Sequence, residues 1–180
     1  MPPMDEKQRW SATLPACSPL LAACMATRGS LTEHLMATGH PFAVDVLAQG
    51  HTAIYADEAE LLQISAKQPV YARHVRLMLN GEAVVIARSI TLQDSQAWRP
   101  ILERGSRSLG LTLFGGLPGL GREALQFLQT AAPHPLHTLA SAYDTQHAAQ
   151  LGARRCRFTL ANSPLLVSEV FLPALENYLR

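Results

Sequence analysis

Two arginines, Arg73 and Arg88, stand in two apolar runs that a short turn brings together. The stretch 70–90 reads VYARHVRLMLNGEAVVIARSI, and Asn80-Gly81 at its middle is a strong hairpin signal because a type I′ turn needs positive φ at both central residues. A two-residue turn sets the register, and counting back from it places Arg73 opposite Arg88. The sequence therefore predicts two guanidinium groups side by side on neighbouring strands.

The predicted hairpin has one apolar face and one more polar face. Because side chains alternate along a strand, the face that carries both arginines also carries larger apolar side chains: Val75, Leu77, Leu79, Val84 and Ile86. The hydrophobic effect favours turning this face inward, and a half-buried guanidinium costs several kcal/mol unless an anion meets it. The alternative is that the two arginines reach solvent at the sheet edge or pair with internal carboxylates.

Glu169 is an acid on an otherwise apolar strand face near the C-terminus. Residues 154–160 and 165–172 form a second predicted hairpin around 161–164, and alternation gives Glu169 apolar neighbours on its face: Leu165, Val167 and Phe171. A single acid in this setting is a salt-bridge partner or a functional group of a site. Two arginines and one glutamate that face inward predict a pocket for a small anionic molecule.

The length, charge and cysteine content limit the class of protein. The 180 residues suit a single domain over 1–180, with 1–9 as a flexible tail. A formal charge of +1 without a basic run argues against nucleic acid and membrane-surface partners, and no apolar run reaches the roughly 18 residues of a membrane helix. Cys17, Cys24 and Cys156 lack CxxC spacing, which favours reduced cytoplasmic thiols over disulfides or a zinc site. No heptad stripe is visible, so we expect a monomer.

One short motif would contradict a cytoplasmic location. Residues 21–24, LAAC, match a bacterial lipoprotein cleavage pattern, and Lys7 and Arg9 precede them. However, Asp5 and Glu6 lie among these basic residues, and serine, threonine and proline interrupt the segment between the charges and the cysteine. We therefore expect the chain to stay in the cytoplasm.

Sequence motifs for metal, nucleotide or covalent chemistry are weak. His134 and His137 lie three residues apart beside two prolines, with no acid or cysteine at ligand spacing, which favours a solvated loop. The glycine-rich segment 115–121 lacks the Lys-Ser/Thr of a phosphate loop, so we expect a lid or a helix lead-in there. GxSxG and HExxH motifs are missing as well, and we expect neither a cofactor nor a metal.

Short helices and strands are predicted around the two hairpins. An apolar helix follows Pro19, and the capping-box spacing of Ser30 and Glu33 starts a second helix that ends near Gly39. The remaining patterns predict strands at 42–48 and 51–56 around a turn at Gly50, and an acidic turn or one helical turn at 57–62. They also predict a helix at 96–104 ended by Gly105, a segment at 109–114 that could be helix or strand, and a helix at 122–130, whereas 136–151 has no clear pattern.

The order and spacing of several short motifs resemble those of bacterial chorismate pyruvate-lyases. The matching residues are Arg73, Ala87-Arg88, Leu109-Gly110, Leu113-Phe114, Ser163 to Pro173 (SPLLVSEVFLP), Leu14-Pro15-Ala16 and Ser30-Leu31-Thr32. The resemblance covers most of the chain outside roughly 115–152. It implies an α+β fold in which helices flank one antiparallel sheet within a single domain.

The resemblance also implies a reaction and a set of site residues. Enzymes of this family remove the enolpyruvyl group of chorismate as pyruvate and leave 4-hydroxybenzoate for ubiquinone synthesis, without a cofactor or metal. By resemblance, Arg73 holds the ring carboxylate, Glu169 contacts the ring oxygen at the opposite end, and Leu31 and Leu109 supply the other two binding positions. We add the hypothesis that Arg88 binds the enolpyruvyl carboxylate or stabilises the charge that develops near it. Glu169 then transfers a proton or acts only as a hydrogen-bond partner.

Three departures from the family pattern concern the site. Leu31 replaces a methionine, Ala87 replaces a glycine, and the region after Phe114 is longer than usual. Two other functions stay open: a module that senses small acids without transforming them, as in regulator effector domains of this fold, and a lyase for another enolpyruvyl compound. A sensing module of a regulator would need a DNA-binding domain, and no helix-turn-helix pattern is visible before the predicted strand at 42–48.

Overall fold

A computed structural model describes residues 8–103 and 105–180. Within these ranges the chain forms six α-helices and seven strands, followed by a short 3-10 helix at Pro173–Asn177. The helices are α1 (Pro19–Met25), α2 (Leu31–Met36), α3 (Ala56–Leu62), α4 (Arg99–Leu102), α5 (Leu109–Leu113) and α6 (Pro135–Ser141). The strands are β1 (Phe42–Ala53), β2 (Pro69–Leu79), β3 (Glu82–Leu92), β4 (Gly121–Arg122), β5 (Gln126–Ala131), β6 (Gln150–Leu160) and β7 (Ser163–Phe171).

The strands form one antiparallel sheet in the order β1-β2-β3-β7-β6-β4, and β5 also pairs with β6. Two tight hairpins lie at its centre. Asn80 and Gly81 turn at φ +50° and +78°, and Ala161 and Asn162 turn at φ +49° and +61°, as a type I′ turn requires. Helices flank the sheet, so the predicted α+β class with one antiparallel sheet is confirmed.

The first hairpin contains a β-bulge that the sequence analysis missed. Met78 pairs with Ala83 but Leu77 pairs with Val85, so Val84 is an extra residue on β3. The bulge shifts the register by one from that point, and Arg73 pairs with Ser89. The predicted pairing of Arg73 with Arg88 on a shared face is therefore wrong. A run of alanine and two valines gives no local signal for a bulge.

Arg88 consequently lies on the face of the sheet opposite to Arg73, where it pairs with an internal carboxylate. Its Nε and Nη2 donate to the two carboxylate oxygens of Glu58 at 2.7 and 2.9 Å, and both side chains are almost fully buried. Nη1 lies 2.8 Å from Nε2 of His74, Nη2 also donates to the carbonyl of Ala53, and the guanidinium stacks on Tyr55 at 3.8 Å. Every end of this guanidinium has a protein partner.

The acid of this pair comes from α3, which covers that face. Glu58 also accepts the backbone N–H of Tyr55 at 2.9 Å, so it satisfies one of the free donors at the start of the helix. Apolar residues of α3 pack on the sheet beside the ion pair: Ala59 and Leu62 contact the cluster that contains Ile90 and Leu166. The predicted acidic turn at 57–62 is thus a helix that supplies a buried counter-ion.

Several other elements follow the sequence predictions. The helix after Pro19 and the helix capped by Ser30 are present, and Ser30 Oγ accepts the N–H of Glu33 at 3.3 Å. The predicted 96–104 helix is shorter, with Pro100 in its first turn. Arg104 lies outside the described residues, as do residues 1–7 of the predicted tail.

Other predictions are wrong because pairing across the sheet decides the structure. Residues 122–130 do not form a helix, since Arg122 belongs to β4 and 126–131 pair along β6 as β5. The two predicted strands around Gly50 are one strand, β1, with an irregularity between Val46 and Ala48. Long-range hydrogen bonds override the local pattern in both places.

The two histidines near α6 are buried, so the predicted solvated loop is wrong. His134 Nε2 lies 2.8 Å from Asp57 Oδ2, and Trp10 donates to the same oxygen at 2.7 Å. Burial alone would raise the pKa of Asp57, but the hydrogen bonds from His134 and Trp10 outweigh it and lower the pKa below its ordinary value. Within the described residues, no group of His, Cys, Asp and Glu side chains is arranged to hold a metal.

No helix in the described ranges is both long enough and apolar enough to cross a bilayer.

Replacing Arg88 by Met should lower the free energy of unfolding by about 3–5 kcal/mol, because it leaves Glu58 buried without its cation. Arg99→Met is the matched control. Arg99 pairs with Glu103 at 3.0 Å on the surface, where such pairs contribute less than about 1 kcal/mol. Urea denaturation of the wild type and the two variants measures the change in the free energy of unfolding. Equal losses in both variants would contradict a structural role of the buried pair.

Candidate active site

A cavity of about 640 Å³ opens on the sheet face that carries Arg73. Its floor consists of side chains from the central strands, and its walls are the turn between α1 and α2, the start of α5, and the segment 122–125. The size suits one small molecule. Four of the five predicted site residues line this cavity: Leu31, Arg73, Leu109 and Glu169. Arg88, the fifth, does not, since its side chain points to the other face of the sheet.

Arg73 lies at one end of the cavity and is 2% exposed. Its Nη2 donates to the carbonyl oxygens of Gly105 and Arg107 at 2.8 and 2.9 Å. These contacts hold the guanidinium in place and tie the loop before α5 to the sheet. A carboxylate that reaches this side chain would meet a cation whose orientation is set in advance.

Glu169 is directly paired with Arg154 across the hairpin of β6 and β7. Glu169 Oε2 accepts from Nε of Arg154 at 2.8 Å, and the two side chains are 16% and 6% exposed. Nη1 of Arg154 donates to the carbonyls of Met25 and Thr27 at 3.0 and 2.8 Å. The glutamate is therefore held by an arginine that is itself anchored to the end of α1.

The arginine and the acid occupy separate ends of the same cavity. Arg73 pairs with Ser89, and Ser89 pairs with Val167, which lies two residues before Glu169 on its strand. Standard strand spacing then puts the Cα atoms of Arg73 and Glu169 about 12 Å apart. Long side chains reaching inward from these positions leave room between them for one ring with a polar group at each end.

Leu31 and Leu109 are the first residues of α2 and α5, and both helix starts face the cavity. The two helix starts are joined by a hydrogen bond of 2.6 Å between Thr32 Oγ1 and Ser108 Oγ. A Cβ on Gly110 would lie 3.1 Å from the hydroxyl oxygens of Ser30 and Thr32, closer than most side chains tolerate. Glycine at this position thus allows the close approach that places both leucines at the cavity wall.

The segment after Phe114 completes the wall. The guanidinium of Arg122 lies 5.1 Å from the centre of the Phe114 ring and donates to the carbonyl of Arg28. Leu117 and Leu120 pack against an apolar cluster that includes Trp98. Two residues of the predicted lid at 115–121 thus contact the body of the protein, and the segment leads into β4 rather than into a helix.

Among the described residues, the charged side chains that line the cavity are four arginines and two glutamates, a formal net charge of +2. They are Arg28, Arg73, Arg122, Arg154, Glu123 and Glu169. Such a lining favours an anionic ligand, and in particular a ligand with two negative charges.

Arg154 is the most important residue that sequence reasoning missed. The signal was available, because reading Ala161-Asn162 as a two-residue turn places Arg154 opposite Glu169. The predicted turn at 161–164 was two residues longer than the observed one, and that length gives another register. Ser89 was missed for a related reason, since only the bulge brings it to the cavity face.

The sequence comparisons with known proteins agree on one family. A model of the family described as "Chorismate lyase" matches residues 6–178. A "probable chorismate pyruvate-lyase" of Methylobacillus flagellatus is 39% identical over 149 residues, which cover 82% of this chain and 83% of the relative. A protein of the same name from Albidiferax ferrireducens is 43% identical over 151 residues, covering 79% of this chain and 76% of the relative.

A solved structure shares the fold at low sequence identity. The effector domain of PhnF from Mycobacterium smegmatis matches with a TM-score of 0.53 and 14% identity, over 81% of this chain and 90% of that domain. This likeness concerns the arrangement of helices and strands alone.

The thiol of Cys156 lines the cavity and offers a test of its environment. Burial raises the pKa of this thiol to about 11, and it outweighs the opposing effect of the Arg122 charge. At pH 8 only about one molecule in a thousand then carries the reactive thiolate. In a Cys17→Ser variant, which removes the exposed thiol, iodoacetamide should label Cys156 slowly at pH 8 and faster above pH 10. Mass spectrometry measures the rates, and fast labelling at pH 8 would contradict a buried, cavity-facing thiol.

Proposed function

This chain belongs to the chorismate lyase family, and we propose that it is a chorismate pyruvate-lyase that forms 4-hydroxybenzoate. The observation that carries the proposal is the cavity itself, with a buried arginine at one end, a glutamate at the other and a net charge of +2 in its lining. Chorismate is a dianion built on one ring, and its size and charge suit such a cavity. The names of the relatives point to the same reaction.

In the proposed complex the ring carboxylate of chorismate binds Arg73. The guanidinium is 2% exposed, and charge-assisted hydrogen bonds at such a buried position contribute more than at an exposed one. Leu31 and Leu109 border the ring. Leu31 replaces the methionine of the family pattern, and the two side chains have similar volumes, so the shape of the cavity changes little. Glu169 then faces the ring oxygen at the far end.

The reaction itself is an elimination that makes the ring aromatic. The bond between a ring carbon and the enolpyruvyl oxygen breaks, and the neighbouring ring carbon, which carries the hydroxyl group, loses its hydrogen as a proton. The electron pair of that C–H bond completes the aromatic ring, and the released enolpyruvate takes up a proton to become pyruvate. Aromatisation supplies the driving force, so the protein has to orient the substrate and stabilise charge.

Glu169 is the group best placed to act at the reacting end. Its Oε2 is held by Arg154, while its Oε1 makes no hydrogen bond within the described part of the chain. Oε1 can accept the hydrogen bond of the ring hydroxyl, or take a proton as a general base. Arg88 has no part in this proposal, because Glu58 and His74 occupy it on the other face of the sheet. We propose that the product serves ubiquinone synthesis in the cytoplasm.

Incubation of the protein with chorismate tests the reaction directly. We expect 4-hydroxybenzoate and pyruvate in equal amounts, measured by chromatography and by a coupled lactate dehydrogenase assay. Tight binding of 4-hydroxybenzoate without any turnover would contradict the proposed lyase and favour a module that binds small acids. Another hydroxybenzoate isomer would refute the proposed product.

Replacing Arg73 by Ala should weaken chorismate binding by about 2–4 kcal/mol, a factor of about 30 to 1,000, because a desolvated carboxylate loses its cation. Arg99→Ala is the matched control, since Arg99 lies on the surface away from the cavity. Steady-state kinetics measure KM and kcat/KM for both variants. Unchanged values in the Arg73 variant would refute its role as the clamp for the ring carboxylate.

A further inference from the structure

Arg154 is a buried cavity arginine whose hydrogen bonds leave one nitrogen available to a ligand. Its Nε donates to Glu169 and its Nη1 donates to two backbone carbonyls, whereas Nη2 makes no hydrogen bond within the described ranges. The side chain is only 6% exposed and lines the cavity. Nη2 is not among the buried side-chain atoms that lack a partner, so it is accessible, and an acceptor on a ligand in the cavity can form a charge-assisted hydrogen bond with it.

The direction of Nη2 follows from the shape of the guanidinium. Nε and Nη2 lie on the same edge of this planar group, so Nη2 points beside the Glu169 carboxylate. In Arg88 the same edge receives both oxygens of Glu58, at 2.7 and 2.9 Å. In Arg154 the edge receives a single oxygen of Glu169, and half of a bidentate carboxylate site is still open.

We propose that Arg154 binds the enolpyruvyl carboxylate of the substrate through Nη2 while its Nε holds Glu169. This inference rests on the proposed function. The enolpyruvyl group is attached to the ring carbon next to the one that bears the hydroxyl group, so its carboxylate lies close to the end of the ring that Glu169 contacts. The same carboxylate becomes that of pyruvate, and the contact therefore persists while the C–O bond breaks.

The other cavity arginines fit this role less well. Arg73 lies at the opposite end, where the ring carboxylate binds in the proposed complex. Arg28 and Arg122 are exposed, and Arg122 is already engaged with the carbonyl of Arg28 and the ring of Phe114. Arg154 is buried, anchored at Met25 and Thr27, and adjacent to Glu169, so it alone among these four combines a set position with a free donor beside the reacting end.

A comparison within a Glu169→Gln background separates ligand binding by Arg154 from its effect on Glu169. The proteins are Glu169→Gln, Arg154→Gln/Glu169→Gln and Arg122→Gln/Glu169→Gln, and the probes are chorismate and benzoate. Benzoate carries the ring carboxylate alone. Calorimetry measures the affinities for chorismate and benzoate. If a variant still converts chorismate, kcat/KM is compared instead of the chorismate affinity. The Arg122 variant is the matched control because it removes the same unit charge from the cavity lining.

We expect the Arg154 change to weaken chorismate by about tenfold to a hundredfold and to leave benzoate within about twofold. The Arg122 change should have a smaller effect on chorismate. If the Arg154 change has no further effect once Glu169 is replaced, Arg154 only positions Glu169 and the inference is wrong. An equal loss with Arg122→Gln, or an equal loss of benzoate, would also overturn it.

Two controls keep the result interpretable. The double variant carries a neutral glutamine pair in place of a buried ion pair, so it avoids an unpaired buried charge. If it still fails to fold, Arg154→Met/Glu169→Gln, which is also neutral and of similar length, takes its place, with the same comparison of chorismate and benzoate. Wild-type protein is the positive control: absence of pyruvate formation there refutes the proposed function, whereas wild-type turnover with no selective loss of chorismate refutes this inference alone.

Discussion

The structure depends on burying four guanidinium groups in the middle of one sheet. Arg73 and Arg154 lie on the face that bounds the cavity, and Arg88 and Arg155 lie on the other. A buried cation is tolerated only where acceptors surround it, so the neighbouring loops and helices have to supply oxygen atoms. We call the face opposite the cavity the closed face. There Arg88 pairs with Glu58, and Arg155 donates hydrogen bonds to the side chain of Gln126 and to a backbone carbonyl of α3.

The two faces of the sheet supply these acceptors in different ways. One face satisfies its arginines within the protein, and the other leaves positive charge for a ligand. On the closed face α3 supplies the acids: Glu58 pairs with Arg88, and although burial lowers the pKa of Arg155, the nearby carboxylates of Asp57, Glu58 and Glu60 oppose that effect. On the cavity face, backbone carbonyls orient Arg73 and Arg154 and contribute no full negative charge. Glu169 supplies a single carboxylate for that end. The remaining positive charge is available to an anionic substrate, whereas the cations of the closed face are engaged with partners from within the protein.

Local chemistry in the sequence predicted much of this arrangement. The Asn80-Gly81 turn, the helix cap at Ser30 and the inward direction of Glu169 all follow from short-range rules, and the structure agrees with them. The wrong predictions concern features that depend on contacts between residues distant in sequence. The side of the sheet that Arg88 faces is decided by a bulge, and the strands at 121–131 form because β6 offers free edge groups. Neither has a signal in neighbouring residues.

The bulge at Val84 also links the alignment of the first hairpin to a distant part of the chain. The Asn80-Gly81 turn is compatible with two alignments of its strands, the regular one and the bulged one. The regular alignment would bring the like charges of Arg73 and Arg88 into contact, whereas the bulged alignment turns Arg88 toward Glu58, thirty positions away in the chain. An isolated hairpin peptide has no such partner to distinguish them. The pair between Arg88 and Glu58, which only the bulged alignment allows, therefore couples the alignment of this hairpin to the packing of α3 on the sheet.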